Sequence, residues 1–216
     1  VLTIQNRNLP AGRDQGFEES GWPKFEDSLS RLVKDPSKVI NLQSVLGWLT
    51  NEAVHATEKV SFYNFMEKGG NRDARALPLT PQQFANDASH MYFGVESDRK
   101  YLPRKYREVF TTALSYVKVL QLGNISGASS EDWEDFLNVA LPLCTKLEKL
   151  YLKDNGDLKV DVATIADLCL GSENTLTNLN LGNTACFGEA AAALTSRYRA
   201  LTMLNLEGSN VAGTIR

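Results

Sequence analysis

The sequence predicts an α/β fold: a short solenoid of parallel strands and return helices over residues 103–216, preceded by an all-α region over 1–102. Three observations predict it. A leucine spacing recurs along the last hundred residues, apolar residues return at helical spacing between those leucines, and the upstream chain carries helix-start signals without that leucine spacing.

The recurring unit is LxxLxL or its aliphatic equivalent. It holds Val117, Leu120 and Leu122, then Leu147, Leu150 and Leu152, then Leu176, Leu179 and Leu181, then Leu201, Leu204 and Leu206. The starts are 30, 29 and 25 residues apart, enough for a strand, a turn and a helix in each repeat. In a strand, LxL puts two apolar side chains on one face and turns the residue between them outward. The segments that follow carry apolar residues at helical spacing: Trp133, Phe136, Leu137 and Ala140; Val162, Ile165, Ala166 and Cys169; Ala190, Ala193 and Leu194.

This register resembles the leucine-rich-repeat superfamily, nearest its ribonuclease-inhibitor-like and cysteine-containing subtypes, over a little under half the chain. The resemblance implies strands on a concave face, helices on the convex side, and a buried asparagine tying neighbouring turns together. Asn155 stands at that position. Asn124 and Asn183 come one residue early and Asn210 one late, while Thr184 and Ser209 occupy the slot itself, so a regular asparagine ladder is not expected. The resemblance also implies that partners bind the concave face, here Val119, Gln121, Gly123, Lys149, Tyr151, Lys153, Asn178, Asn180, Gly182, Met203, Asn205 and Glu207. That row is rich in amides and holds one tyrosine. It suits a hydrogen-bonding protein interface better than a nucleic-acid track, which needs clustered Arg and Lys.

Upstream, Pro23 opens a helix with Phe25, Leu29, Leu32 and Val33 on one face. Asp35-Pro36 opens a second through Val39, Leu42, Leu46 and Leu49, and a further helical stretch through Val54, Phe62, Phe65 and Met66 stops at Gly69-Gly70. Thr80-Pro81 begins another, with Phe84, Ala88, Met91 and Tyr92, closing at Gly94. Pro103 leads into the last, with Tyr106, Val109, Phe110, Ala113 and Leu114, which caps the first repeat. A cap is required because each repeat buries its core only against its neighbours. Past Val211 no closing helix follows, so a longer natural chain or a covering partner is implied at the far end, and the partner is favoured.

The formal charge of −3 and pI near 5.5 give no global attraction to nucleic acid or anionic membrane. No apolar run reaches the length of a membrane span, and Val1 to Asn8 do not read as a secretory signal. Cys144, Cys169 and Cys186 form no CxxC pair, so buried packing thiols in an intracellular, reducing compartment are expected. His55 and His90 lack HExxH-type companions, and no phosphate loop, GxSxG elbow or dinucleotide fingerprint occurs. No cofactor and no enzyme activity are therefore expected. Glu131, Asp132, Glu134 and Asp135 sit at a predicted helix start, where the dipole accounts for them. One basic stretch, Arg99, Lys100, Arg104, Lys105 and Arg107, is interleaved with Tyr101 and Tyr106. It reads as a solvated helix face first, a contact for an acidic protein second and an RNA contact last.

The leading expectation is a non-catalytic interaction or scaffold subunit of a larger assembly. In layout, a helical cap before a few repeats, the chain resembles the mitochondrial ATP synthase coupling factor B group, which brings the mitochondrion into view as a setting. Alternatives are a substrate-recognition adaptor, since Leu77-Pro78 before a helix resembles an F-box opening, and a secreted recognition protein.

Overall fold

The computed structural model describes residues 3–5, 19–33, 39–41, 75–189, 194 and 197–212. In chain order the elements are β1 (Thr3–Gln5), α1 (Gly21–Val33), β2 (Val39–Asn41), α2 (Pro81–Ala88), α3 (Glu96–Tyr116) and β3 (Val119–Gln121). They continue with α4 (Ser130–Ala140), β4 (Lys149–Tyr151), α5 (Val162–Leu168), β5 (Asn178–Asn180), β6 (Phe187–Glu189), β7 (Met203–Asn205) and β8 (Asn210–Ala212). The class is mixed α/β, built on a parallel sheet in the order β3-β4-β5-β7.

The register of that sheet is the leucine register. Leu120 pairs with Leu150, Leu150 with Leu179, and Leu179 with Leu204. Leu120, Leu150 and Leu179 are fully buried, as are Leu122, Leu152 and Leu181 two residues on. A second, smaller parallel ladder runs beside the first: Phe187 bridges Asp161, and β6 pairs with β8.

The return helices bury the faces that their spacing selects. Trp133, Phe136, Leu137 and Ala140 are all buried, as are Val162, Ile165, Ala166 and Cys169. Leu194 is helical and buried, while Ala190 and Ala193 lie outside the described residues. Ser129 caps α4 by accepting from the Asp132 N–H, and the Asp132 carboxylate accepts from the Ser129 N–H in return. The Ser129 hydroxyl also donates to that carboxylate at 2.7 Å, and this bond, with the backbone one, holds the Asp132 carboxyl below its ordinary pKa. Thr80 and Gln83 make the same box at the start of α2, with Pro81 in the first turn.

The upstream helices differ from the sequence reading in four places. Val39–Asn41 is a strand paired with Thr3–Gln5 where a helix is expected, because the β-branched pair Val39-Ile40 finds a parallel partner in Thr3-Ile4. In α1, Val33 is 55% exposed while Ser28 and Leu32 are buried: the helix turns its Gly21–Ser28–Leu32 stripe inward, and Val33 falls beyond that arc. The helix expected to run to Gly94 ends at Ala88, since the Tyr92 N–H donates to the Glu19 carbonyl and the Tyr92 carbonyl accepts from Gly21. Finally, α3 starts at Glu96 and carries Pro103 inside it, so the capping helix crosses the boundary placed at 102. Leu42, Leu46 and Leu49, the stretch from Val54 to Gly70, and His55 lie outside the described residues.

One core joins α1, α2 and α3 to the sheet. Leu102, Tyr106, Phe110 and Leu114 lie along the inner stripe of α3 at spacings of four residues, and all are buried. Tyr106 stacks on Phe84 with ring centroids 4.3 Å apart and donates its hydroxyl to the Leu79 carbonyl at 2.7 Å. Phe110 meets Phe136 edge-on, which carries the packing from the capping helix into the first return helix. Among the described residues no helix is long and apolar enough to cross a membrane.

Candidate functional site: the open face of the parallel sheet

Because the leucines point inward, the residues between them form a grid on the opposite face. Along the strands, the first row is Val119, Lys149, Asn178 and Met203, and the second is Gln121, Tyr151, Asn180 and Asn205. The third, where the chain leaves the strands, is Gly123, Lys153, Gly182 and Glu207. Gln121, Lys153, Met203 and Glu207 are exposed, while Lys149, Tyr151, Asn178, Asn180 and Asn205 are half-buried by one another. The concave residues of the sequence reading therefore share one surface.

Each strand and the turn that follows it form one coil, and hydrogen bonds between coils continue past the strand ends and hold the third row in place. Asn124, Asp154 and Asn183 donate their N–H groups to the carbonyls of Lys153, Gly182 and Glu207 at 3.1, 2.9 and 2.7 Å. These three residues, with Gly208, have φ of 54°, 60°, 54° and 68°. They are the equivalent position of the four coils, each two residues past the last leucine. Asn and Asp tolerate left-handed backbone better than most residues, and Gly adopts it freely. Asn124 and Asn183 are thus turn residues, not displaced members of an asparagine ladder.

The next position does the tying. Asn155, almost fully buried, donates from Nδ2 to the carbonyls of Leu122 and Leu152 at 2.7 and 2.6 Å and accepts the Ile125 N–H at 2.7 Å. It therefore satisfies backbone groups in two coils at once. Thr184 and Ser209 stand in the same slot but reach only their own coil, donating to Leu181 and Leu206 at 2.7 and 2.6 Å.

The first coil is held from upstream by Arg75, which the sequence reading does not single out. Arg75 is buried and forms a parallel bridge with Ile125. Its N–H donates to the Asn124 carbonyl and its carbonyl accepts from Ser126. Its guanidinium donates to the Gln121 carbonyl on the edge strand β3.

The basic stretch does not form one patch. Arg99 folds back over the end of α2, donating to the carbonyls of Ala88 and Ser89 at 3.1 and 2.9 Å, pairing with Glu96 and lying over Phe93. Lys105 pairs with Glu108 at 2.8 Å. Tyr106 is in the core, so it offers no ring to a base. Lys100, Arg104 and Arg107 do share an exposed stripe of α3, with Arg104 over the ring of Tyr101.

Cys144, Cys169 and Cys186 are buried and unpaired. Burial pushes the thiols of Cys144 and Cys169 up to about 12 and raises Cys186 as well. The folded chain is therefore expected to be inert to an aromatic disulfide reagent at pH 8, with three thiols reacting once guanidinium unfolds it; one thiol titrating quickly in the native protein would contradict the burial. The sign of the shift also sets a pH dependence. The folded state holds these protons more tightly, so the stabilisation is complete below pH 9 and declines as pH rises from about 9 toward about 12.

Among the described residues no group of three or more His, Cys, Asp or Glu side chains is placed to hold a metal ion. No family model, curated protein or solved structure matches this chain, so the geometry of the sheet face stands on its own.

Proposed function

We propose that this chain is a non-catalytic protein-binding subunit of a larger assembly, its coils forming a short leucine-rich-repeat solenoid that docks a partner on the open sheet face. The observation that carries the proposal is the grid itself. Four strands in leucine register place Gln121, Lys149, Tyr151, Lys153, Asn178, Asn180, Met203, Asn205 and Glu207 on one face, with amides, one aromatic ring and both charge signs represented. Such mixed polarity around an aromatic anchor suits a protein partner. The stripe of Lys100, Arg104 and Arg107 offers a second contact for an acidic protein surface. At the other end, β7 is the last strand of its sheet among the described residues, and Leu204 and Leu206 are only half-buried where Leu120, Leu150 and Leu179, and Leu122, Leu152 and Leu181, are buried. A partner packing on that edge would complete the burial.

The test is native purification of the full chain and identification of what travels with it, repeated with the Lys149→Ala/Tyr151→Ala pair. The expected result is a partner retained by the parent and weakened tenfold or more by the variant, with the melting temperature of the free chain within a few degrees. A chain that purifies as a lone monomer, or a partner indifferent to the pair, would overturn the proposal.

A further inference from the structure

Where the third row of the grid meets the second, the face sinks into a polar cavity of about 160 Å³. Asn180 and Gly182 lie in the middle of its lining, with Lys153 and Asp154 following β4 on one side and Asn205 on β7, with Glu207 after it, on the other. A side chain at 182 would intrude on it and displace the two amides: a Cβ there would lie 3.2 Å from Asn205 Nδ2 and 3.3 Å from Asn180 Oδ1.

The two amides are fixed in orientation by their own backbone. Asn180 Oδ1 accepts the Gly182 N–H at 3.0 Å, and Asn205 Oδ1 accepts the Glu207 N–H at 2.9 Å. A backbone N–H can only be met by the oxygen, so in both residues the oxygen is occupied and Nδ2 is left as the outward donor. Asn180 and Asn205 are register partners on adjacent strands, so the donors stand side by side, about 4.8 Å apart at the backbone. Neither Nδ2 has an acceptor among the described residues, and neither has the Glu207 carboxylate a donor. The other carboxylate of the lining, Asp154, is already engaged by Asn183 Nδ2 at 2.9 Å and Lys153 Nζ at 3.3 Å.

The cavity therefore offers donors at the two amides and at Lys153, and an acceptor at Glu207 on the opposite wall. A carboxylate would face the like charges of Glu207 and Asp154, and an ammonium group would face two amide donors and Lys153, which already pairs with Asp154. A peptide unit fits both walls, because its C=O and N–H point in opposite directions. With a hydrogen bond at each end it spans about 8 Å, against roughly 9.6 Å for two strand spacings, and the long side chains of Lys153 and Glu207 make up the difference.

We infer that this cavity receives a main-chain peptide unit of an extended segment from the partner protein, its carbonyl accepting from Lys153 Nζ and Asn205 Nδ2, its N–H donating to Glu207. The inference rests on the sheet-face reading and names the part of the face that grips the backbone. It makes recognition at this point independent of the partner's side chains, while Tyr151 and Lys149 lie outside the cavity and remain free to select them.

The test uses a random linear dodecapeptide library displayed on phage, selected on the full chain, and then the selected peptide made synthetically with each amide replaced in turn by an ester. An ester lacks the N–H and is a weaker acceptor. The expected result is one ester position that weakens binding about tenfold to the parent but little to Glu207→Ala, together with a similar loss for Gly182→Ala and for Asn205→Ala toward the all-amide peptide. Peptides whose binding falls with Tyr151→Ala, yet is unmoved by Gly182→Ala, Asn205→Ala or any ester, would overturn the cavity assignment and leave the face reading intact. Failure to select any peptide sensitive to either set of substitutions would overturn both.

Discussion

Asn155→Ala is expected to lower the unfolding free energy by about 3 kcal/mol in urea titration, the loss for one buried backbone donor left unmet and two carbonyls left without their donor. The side chain is small and polar, so lost apolar burial contributes little to that figure. The effect comes from where its bonds go: Ile125 and Leu122 belong to the first coil and Leu152 to the second, so one substitution opens the joint between them. Asn155→Asp separates donation from mere occupancy. The carboxylate still accepts the Ile125 N–H but meets two carbonyls with no proton, so its folded-state pKa is raised. Its destabilisation relative to the parent should therefore shrink as pH falls through the carboxylate range and a donor is restored. Thr184→Ala, which removes a bond to a single coil, should cost about 1 kcal/mol. Equal losses at 155 and 184 would show that bridging two coils adds nothing.

The second large effect is in the stacked leucines. Leu150→Ala removes a fully buried side chain with Leu120 on one side and Leu179 on the other, and should cost about 4 kcal/mol. Leu204→Ala makes the same chemical change on β7, which has a sheet neighbour on one side and a half-buried leucine, and should cost about 2 kcal/mol. The comparison holds the deleted atoms constant and varies only their neighbours. If Leu204 proved as costly as Leu150 in the free chain, the edge strand would already be as well packed as the centre, and the case for a partner on that edge would fall.

Different parts of the molecule were legible in the sequence for different reasons. Leucine pairing could be read because the strands are in parallel register and each coil repeats the same three offsets, so Leu120, Leu150, Leu179 and Leu204 align by spacing alone. The faces of α4 and α5 followed from helical period, and the start of α2 from Thr80-Pro81. The tying position was legible at Asn155 from the leucine offsets, but the role of the position before it was not. Asn124 and Asn183 carry the residue type of a ladder, but their backbone is left-handed, and the chemistry that makes asparagine suitable for one task suits the other. Tyr106 sits in both a basic run and an apolar stripe, and only the phase of α3 against Phe84 chooses between them.

By itself the sequence determined the periodic features: which leucines face inward, which residues stand between them, and which helix faces are apolar, because local geometry repeats at fixed offsets. Only the tertiary structure decided the rest. Arg75 meets the carbonyl of a residue 46 positions away, and Val39–Asn41 becomes a strand because Thr3–Gln5 lies beside it. The cavity over Gly182 exists because coils stack with Lys153 and Glu207 on either side of a glycine. These contacts depend on chain segments brought together by folding, and no spacing along the chain records them.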